Sequence, residues 1–378
     1  MRLLIIVNVD WFFCSHRLPI AIAAKREGYD VHIATTITDH KLKDFLSNEG
    51  FKIHELNIDR GVRSYLSIVY AFFSIYEILR LVKPDLLHLV TIQPVLLGGL
   101  SARLLRTKNV VYAISGLGHV FIANSPISKV RKYLVLFLYR IALGNKRKRV
   151  IFQNPNDLQK LSLVSSINSS ESLIISGSGV DISKFISTPL SDDVPIVLMA
   201  SRLLMTKGVS EFVQAASILK SRGVRSRFQL VGDPDPSNPA SVHPETLIKW
   251  KIKGDVEFLG YRSDLHLLMQ QCHIVALPSY YPEGLPKVLC EAAACGRAVV
   301  TTDEAGCRDA IEDRITGLLV PSRNTLVLAN ALIFLLSNPR ILSEMGFAAR
   351  KRAEQYFDIH QIVQKHLNVY SDLLNTSE

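Results

Sequence analysis

Two carboxylates, Glu283 and Glu291, stand eight residues apart within PSYYPEGLPKVLCEAAACG, residues 278–296. The apolar run IVALPS ends just before them, so Glu283 is expected in a loop at a strand end. Pro286 suits the first position of a helix, because it lacks the N–H that this position leaves unsatisfied. Glu291 then falls in the second turn. The backbone N–H groups around Gly284, Leu285 and Lys287 would have no intrahelical acceptor. A helix start with a permissive glycine binds an anion such as a diphosphate. A carboxylate beside it repels phosphate but accepts hydrogen bonds from sugar or ribose hydroxyls. Taken alone, E-x7-E reads as a solvated loop glutamate and a helix glutamate paired with a lysine.

A second element changes that reading. In MASRLLMTKG, residues 199–208, a buried strand runs directly into Arg202, and Lys207 and Gly208 follow at the start of the next helix. Arginine offers a planar fork for phosphate oxygens and lysine a mobile point charge. Together they can neutralise a departing pyrophosphate as negative charge grows on it. An isolated Arg/Lys pair is an ordinary surface feature. Two such elements at strand C-terminal ends describe a nucleotide-sugar site, with amides and cations for phosphate and carboxylates for hydroxyls.

The elements that position these residues alternate throughout. Strand candidates in the first half are 3–8, 31–35, 52–56, 86–89, 110–113, 150–153 and 173–175. Those in the second half are 196–200, 228–231, 256–259, 274–277, 298–301 and 318–320. Amphipathic segments separate most of them; residues 17–27 are one example, ending at Gly28. This rhythm predicts parallel sheets covered on both faces. At roughly 150 residues per domain, the 378 residues make two domains. The polar, proline-bearing stretch 186–195 reads as the linker between them. The expected division is residues 1–185 as one Rossmann-like domain and 186–357 as a second that binds the nucleotide sugar. A C-terminal helix over 358–378 would pack back on the first. Two doubly wound α/β domains would face one another across a cleft at the C-terminal edges of both sheets.

Composition narrows the class further. Five cysteines without paired spacing argue against a disulfide framework or zinc cluster and fit a reducing cytosol. The apolar stretches 64–76 and 86–102 are too short or too interrupted to span a bilayer, which takes about 20 apolar residues. The net charge of +10 is unevenly spread: between Asp85 and Asp157 there is no acid, and the same 71 residues hold 11 Lys or Arg. Within them, KVRKYLVLFLYRIALGNKRKR joins basic ends to an apolar centre. Such a helix sits on an anionic membrane surface, or is a buried helix with solvated ends. No aromatic-rich motif or DNA-reading helix accompanies the charge, so nucleic acid is not an expected partner.

These motifs resemble the family-4 retaining glycosyltransferases of the GT-B fold. Within that family, the chain is most similar to the branch of capsule and O-antigen transferases and the bacterial N-glycan N-acetylgalactosaminyltransferase. The resemblance is carried in order by HRLPIA (16–21), PDLLH (84–88), SGLGHVF (115–121), GSGVD (177–181), ASRLLMTKGVSEF (200–212), LVGDPDPSNP (230–239), FLGYRSDL (258–265), PEGLPKVLCEAAACG (282–296) and EAGCRDAI (304–311). It implies that Arg202 and Lys207 hold the donor diphosphate. Glu283 would contact the donor sugar and Glu291 the ribose, and the backbone at Gly284, Leu285, Pro286 and Lys287 would complete the phosphate site. Tyr261 and Arg262 stand where the family often lines the base pocket.

On the other side of the cleft, His119 follows Gly116 and Gly118, where the family often has a histidine near the reacting sugar. A partly buried structural histidine is the other reading. The first loop of the family is commonly glycine-rich; here it is NVDWFFCSH, residues 8–16, with no glycine. Asp10, Trp11 and His16 become acceptor-side candidates, although Trp11 to Phe13 also reads as an apolar plug. Asp233 and Asp235 match the D-x-D that holds a divalent metal in other glycosyltransferases. They sit in a proline-rich turn, and the Arg/Lys pair already supplies the countercharge, so no metal and no cofactor are expected.

The expected enzyme is therefore a retaining, metal-independent transferase. It would move a hexose or N-acetylhexosamine from a nucleotide sugar, UDP-linked by preference, to a polyprenyl-diphosphate-linked saccharide. It would act in the cytoplasm, peripherally at the inner face of the cell membrane. The alternatives are a non-hydrolysing sugar-nucleotide epimerase on the same fold and a non-catalytic membrane-associated binding module.

Overall fold

The computed structural model describes residues 1–58, 65–118, 126–163, 165 and 167–375. They form two compact units: Met1–Ser178 with His360–Glu378, and Gly179–Ile359.

The first unit is built on a parallel sheet of seven strands: β1 (Arg2–Val9), β2 (Asp30–Thr36), β3 (Lys52–Glu55), β4 (Leu86–Val90), β5 (Asn109–Ile114), β6 (Arg147–Phe152) and β7 (Ser172–Ile174). Their order is β3-β2-β1-β4-β5-β6-β7. Neighbouring strands are joined by crossovers, so helices cover both faces and each strand is apolar on both sides. Strand alternation divides the core accordingly. Leu3, Ile5 and Val7 of β1 join one buried cluster, and Leu4 and Ile6 join the other. The C-terminal helix, Ile359–Asn375, adds Ile362, Val369, Tyr370 and Leu373 to the Leu3 side.

The second unit repeats the plan with six parallel strands: β8 (Ile196–Ala200), β9 (Arg227–Val231), β10 (Glu257–Gly260), β11 (Ile274–Leu277), β12 (Ala298–Thr302) and β13 (Gly317–Val320). The order is β10-β9-β8-β11-β12-β13. In both sheets the order reverses beside the first strand, between β1 and β4 and between β8 and β11. In doubly wound sheets such a reversal, at the C-terminal ends of the strands, is where ligands bind. Each of the 13 strand candidates coincides with a strand to within a few residues, because a buried parallel strand reads as an unbroken apolar run.

Three local expectations need correction. Residues 186–195 are not a loose linker. The buried Arg297 guanidinium bonds the carbonyls of Thr188, Gln270 and Met269, and His273 Nε2 lies 2.9 Å from the Ser191 carbonyl. Val180 and Phe185 already belong to the second unit's core, so that unit begins at Gly179 and not after residue 185. The helix expected over residues 17–27 is present as Leu18–Arg26, and a separate short helix, Asp10–His16, precedes it. Pro286 caps its helix, Lys287–Ala294, from the preceding position.

Candidate donor site

The exit of β8 carries Arg202, and a short 3₁₀ turn, Met205–Lys207, carries Lys207. Gly208 ends that turn at φ 78° and opens the helix Val209–Ser221. A Cβ on Gly208 would lie 2.1 Å from the Pro278 carbonyl oxygen. Only glycine allows both this backbone conformation and this approach. The approach sets the Lys207 turn against the loop that leaves β11. That loop is also tied by Tyr280 N–H, which donates to the Thr206 carbonyl at 3.0 Å. On its far side, a Cβ on Gly306 would strike the carbonyls of Gly284 and Glu283 at 2.4 and 2.6 Å. Two glycines from separate motifs thus let the Glu283 loop be gripped between them.

Lys207 Nζ donates to Glu283 Oε2 at 2.5 Å, and both side chains are largely buried. Ser279 Oγ lies 2.9 Å from Glu283 Oε1, so both carboxylate oxygens are held. Lys207 Nζ also stands 5.8 Å from the Tyr281 ring centroid, within cation–π range. Burial raises the Tyr281 hydroxyl above its ordinary pKa; Glu283 adds to the shift and Arg202 opposes it. The Lys207–Glu283 bond brings the two sequence elements together. The solvated-loop reading of Glu283 is excluded.

Glu291 is buried in the second turn of its helix. Its lysine partner is real but loose: Lys287 Nζ is 3.7 Å from Oε1. Burial pushes the carboxyl above the usual carboxylate range, against the pull of Lys287 and Lys184. Sequence reading did not single out Lys184, which lies far from the motif along the chain. Arg202 pairs with Asp235 at 2.8 Å. Asp235 was considered only as half of a metal-binding pair, and its carboxylate instead faces a guanidinium. Tyr261 is exposed, and Arg262 makes a two-pronged ion pair with Asp264 at 2.7 and 2.6 Å.

In the first unit, Asp10 follows β1 and is fully buried. It accepts from Thr38 N–H and Thr38 Oγ1 at 2.6 Å each, from Asp39 N–H at 2.9 Å and from Trp11 N–H at 2.8 Å. Burial pushes its pKa up, but these donors together more than offset it and hold the carboxyl below its ordinary value. Asp10, expected as an acceptor-side candidate, is instead buried and ties the β1 and β2 exits together. His16 stacks on Phe12 with ring centroids 4.1 Å apart, and its Nδ1 lies 2.6 Å from Ser15 Oγ; Trp11 meets Phe12 edge to face. His119 lies outside the described residues, as do the side chains of Lys129 and Arg131.

Sequence reading also missed a buried cluster behind this edge. Arg17 is buried, donates to the His16 carbonyl at 2.9 Å and reaches Ser115 Oγ at 3.4 Å. His88 Nδ1 lies 2.6 Å from the Tyr370 hydroxyl, and the His88 and His366 rings are 6.0 Å apart. Burial, reinforced by the charge of Arg17, holds His366 down at about 3. Burial, with His366 and Arg17, holds His88 well below its ordinary value. The cluster carried no sequence signal, because His88 meets Tyr370 and His366 from the C-terminal helix, far away along the chain.

Residues 2–154 match the family described as glycosyl transferase 4-like, and residues 182–352 match glycosyl transferases group 1. The chain belongs to these glycosyltransferases. A similar relative of the glycosyltransferase is the N,N'-diacetylbacillosaminyl-diphospho-undecaprenol alpha-1,3-N-acetylgalactosaminyltransferase of Campylobacter jejuni. It is 27% identical over 95% of each chain. The Escherichia coli UDP-Gal:alpha-D-GlcNAc-diphosphoundecaprenol alpha-1,3-galactosyltransferase is 23% identical over 82% of this chain and 81% of its own. Among solved structures, Anabaena Alr3699/HepE in complex with UDP superimposes with a TM-score of 0.78 at 19% identity. The match covers 98% of this chain and 100% of that one. The fold is GT-B.

Proposed function

We propose that this glycosyltransferase moves a hexose or N-acetylhexosamine from a uridine diphosphate sugar to a saccharide carried on a polyprenyl diphosphate. The transfer retains anomeric configuration and needs no metal. The observation that carries the donor half is the Lys207–Glu283 pair at the β8/β11 switch point, with Arg202 on the same β8 exit. The names of the Campylobacter and E. coli relatives, which specify diphosphoundecaprenol-linked acceptors, support the acceptor half. The UDP complex of the Anabaena neighbour supports the choice of base.

In this reading the donor C1–O bond lengthens and the sugar gains oxocarbenium character. Arg202 and Lys207 stabilise the departing diphosphate. Lys207 has three donors, so it can keep Glu283 and still take a phosphate oxygen. Glu283, fixed by Lys207 and Ser279, presents its carboxylate to donor-sugar hydroxyls, and Glu291 accepts from the ribose. The acceptor hydroxyl attacks from the face the diphosphate leaves, and a phosphate oxygen of the leaving group takes its proton. His119, Trp11 and His16 are acceptor-side contacts. The two cations supply the countercharge that a divalent ion supplies elsewhere.

The first unit would dock at the cytoplasmic face of an anionic membrane. Its helices Tyr65–Val82 and Pro126–Ala142 pack inward on the same sheet face and flank the helical segment 94–104. Outward they expose Leu66, Tyr70 and Phe73 on one, and Tyr133, Leu134 and Phe137 on the other. The acid-free basic stretch surrounds the second helix, a pairing suited to an anionic interface. No single helix among the described residues is long and apolar enough to cross a membrane.

The test is a screen of nucleotide sugars for nucleoside diphosphate release, with and without polyprenyl-diphosphate saccharides in vesicles. Release that requires the acceptor, accompanied by a lipid product one sugar larger, is expected. Conversion of the nucleotide sugar to an epimer without acceptor would overturn the transferase reading.

A further inference from the structure

We propose that Asp235 is a positioning residue of the donor site, acting through Arg202; the inference rests on the assignment of Arg202 to the donor diphosphate. Asp235 Oδ2 accepts from Arg202 Nη1 at 2.8 Å. The carboxylate is largely buried, 13% exposed, whereas the arginine side chain is 44% exposed. The anchored partner is therefore the acid, and the arginine is the arm it holds.

The anchoring is built into the turn. Asp235 Oδ1 accepts from Ser237 Oγ at 2.6 Å and, more weakly, from Ser237 N–H at 3.3 Å. Asp235 N–H donates to Ser241 Oγ at 3.1 Å. The turn itself is zipped to the chain leaving Arg202. Leu203 N–H donates to the Asp233 carbonyl at 2.9 Å, Met205 N–H to the Ala240 carbonyl at 2.7 Å, and Val242 N–H to the Leu203 carbonyl at 2.9 Å. At its root, Gly232 has φ 125°, and a Cβ there would lie 1.9 Å from the Ser201 carbonyl oxygen. The residue next to Arg202 is thus in backbone contact with the residue that starts the Asp235 turn.

This arrangement fixes a long, flexible side chain before any ligand arrives. An arginine frozen in its binding conformation no longer loses that freedom on binding. Asp235 engages one end of the fork. A guanidinium carries five N–H donors, so this contact is compatible with a phosphate on the same group. Removing the carboxylate should release the arm and weaken the diphosphate contact, even though it also removes a negative charge from the neighbourhood.

Calorimetric titration of uridine diphosphate into the full chain tests this, with wild type, Asp235→Asn, Arg202→Ala, the double variant and Ser237→Ala. The expected Kd increase is about tenfold for Asp235→Asn and larger for Arg202→Ala, because a charge-assisted bond is lost in each case. The double variant should bind no more weakly than Arg202→Ala alone, within about twofold, since the two act through one contact. Ser237→Ala, which only loosens the carboxylate, should weaken binding in the same direction by less. It carries the test if Asp235→Asn fails to fold. In turnover, Asp235→Asn should raise the donor KM as well as lower kcat, whereas a loss of folded enzyme would lower kcat alone. Binding by Asp235→Asn as tight as wild type or tighter, beside a weakened Arg202→Ala, would overturn the proposal. So would an equal Asp235→Asn effect with and without Arg202. If Arg202→Ala leaves the binding of uridine diphosphate and other nucleoside diphosphates unchanged, the donor-site reading itself fails.

Discussion

Lys207 Nζ and Glu283 Oε2 lie 2.5 Å apart, although 76 residues separate them in the chain. The pair welds the exit of β8 to the exit of β11 at the point where the strand order reverses. Lys207→Ala and Glu283→Gln should each lower kcat by about 10²-fold, the scale of losing one preorganised electrostatic contact. The double variant should lose much less than the product of the two, because each group orients the other. Steady-state nucleoside diphosphate release, with unfolding temperatures measured alongside, checks this. Strictly multiplicative losses would mean that the two act independently.

Gly208 should resist replacement more than any exposed glycine. Gly208→Ala must place a Cβ 2.1 Å from the Pro278 carbonyl oxygen at φ 78°. It should cost about 2 kcal/mol or more in unfolding free energy and abolish measurable nucleotide binding, since the two site loops can no longer meet. Gly223→Ala shares a positive φ of 73° but meets nothing within 4 Å, and it serves as the control. It should lose about 1 kcal/mol with binding intact. Denaturant unfolding and calorimetry read both.

Glu291 makes a prediction of opposite sign for stability and function. Its folded pKa lies above its unfolded value because burial disfavours the ionised form. The group's contribution to stability is therefore fully present below the unfolded value of about 4.3 and is lost as pH rises through the folded value. At pH 7.5, Glu291→Gln should melt about 2 °C above wild type. It should also bind uridine nucleotides about tenfold more weakly, because the glutamine is a poorer acceptor for ribose. A variant that melts lower and binds unchanged would contradict both assignments.

The buried histidines of the first unit set its acid limit. His88 and His366 are held below their ordinary value, His366 down to about 3. A depressed folded pKa gives stability that is present above the unfolded value of about 6.5 and lost as pH falls toward the folded value. Between pH 6.5 and 5 the loss should approach about 2 kcal/mol for each proton the unfolded chain takes up. Unfolding in denaturant at pH 7.5, 6 and 5 measures it, and His366→Gln should flatten the dependence. Equal stability across that range would show that the cluster does not set the limit.

Membrane docking should be electrostatic and local. Charge reversal at Lys129, Arg131 and Lys132 should weaken binding to vesicles containing anionic lipid by about tenfold or more, since each basic residue near such a surface contributes about 1 kcal/mol. Binding to neutral vesicles should change little. Binding unaffected by both the reversals and added salt would remove the membrane from the account.

The fold was legible because parallel strands buried on both faces announce themselves as apolar runs. Ile196–Ala200 and Ile274–Leu277 could be read to the residue. The donor residues were legible as types at strand ends, since Arg202, Lys207 and Glu283 each follow an apolar run. Their partners were not. Nothing near Arg202 in sequence points to Asp235, and nothing near Lys207 points to Glu283; the β8–β9 and β8–β11 adjacencies create those contacts. Asp10 misled for the same reason, because an acid at a strand exit looks available until the donors from Thr38 and Asp39 are seen. The stretch 186–195 has linker composition, yet Arg297 from β12's entrance holds it down.

The most direct test of the central claim is sugar transfer itself, followed with a labelled UDP-sugar and a polyprenyl-diphosphate saccharide in vesicles. Wild type is predicted to form a labelled lipid product only when donor and acceptor are both present. Lys207→Ala, folded and present at equal concentration, should form it about 10²-fold more slowly. Lipid product formed at an unchanged rate by Lys207→Ala, or label leaving the nucleotide with no acceptor present and none reaching lipid when it is, would contradict the account.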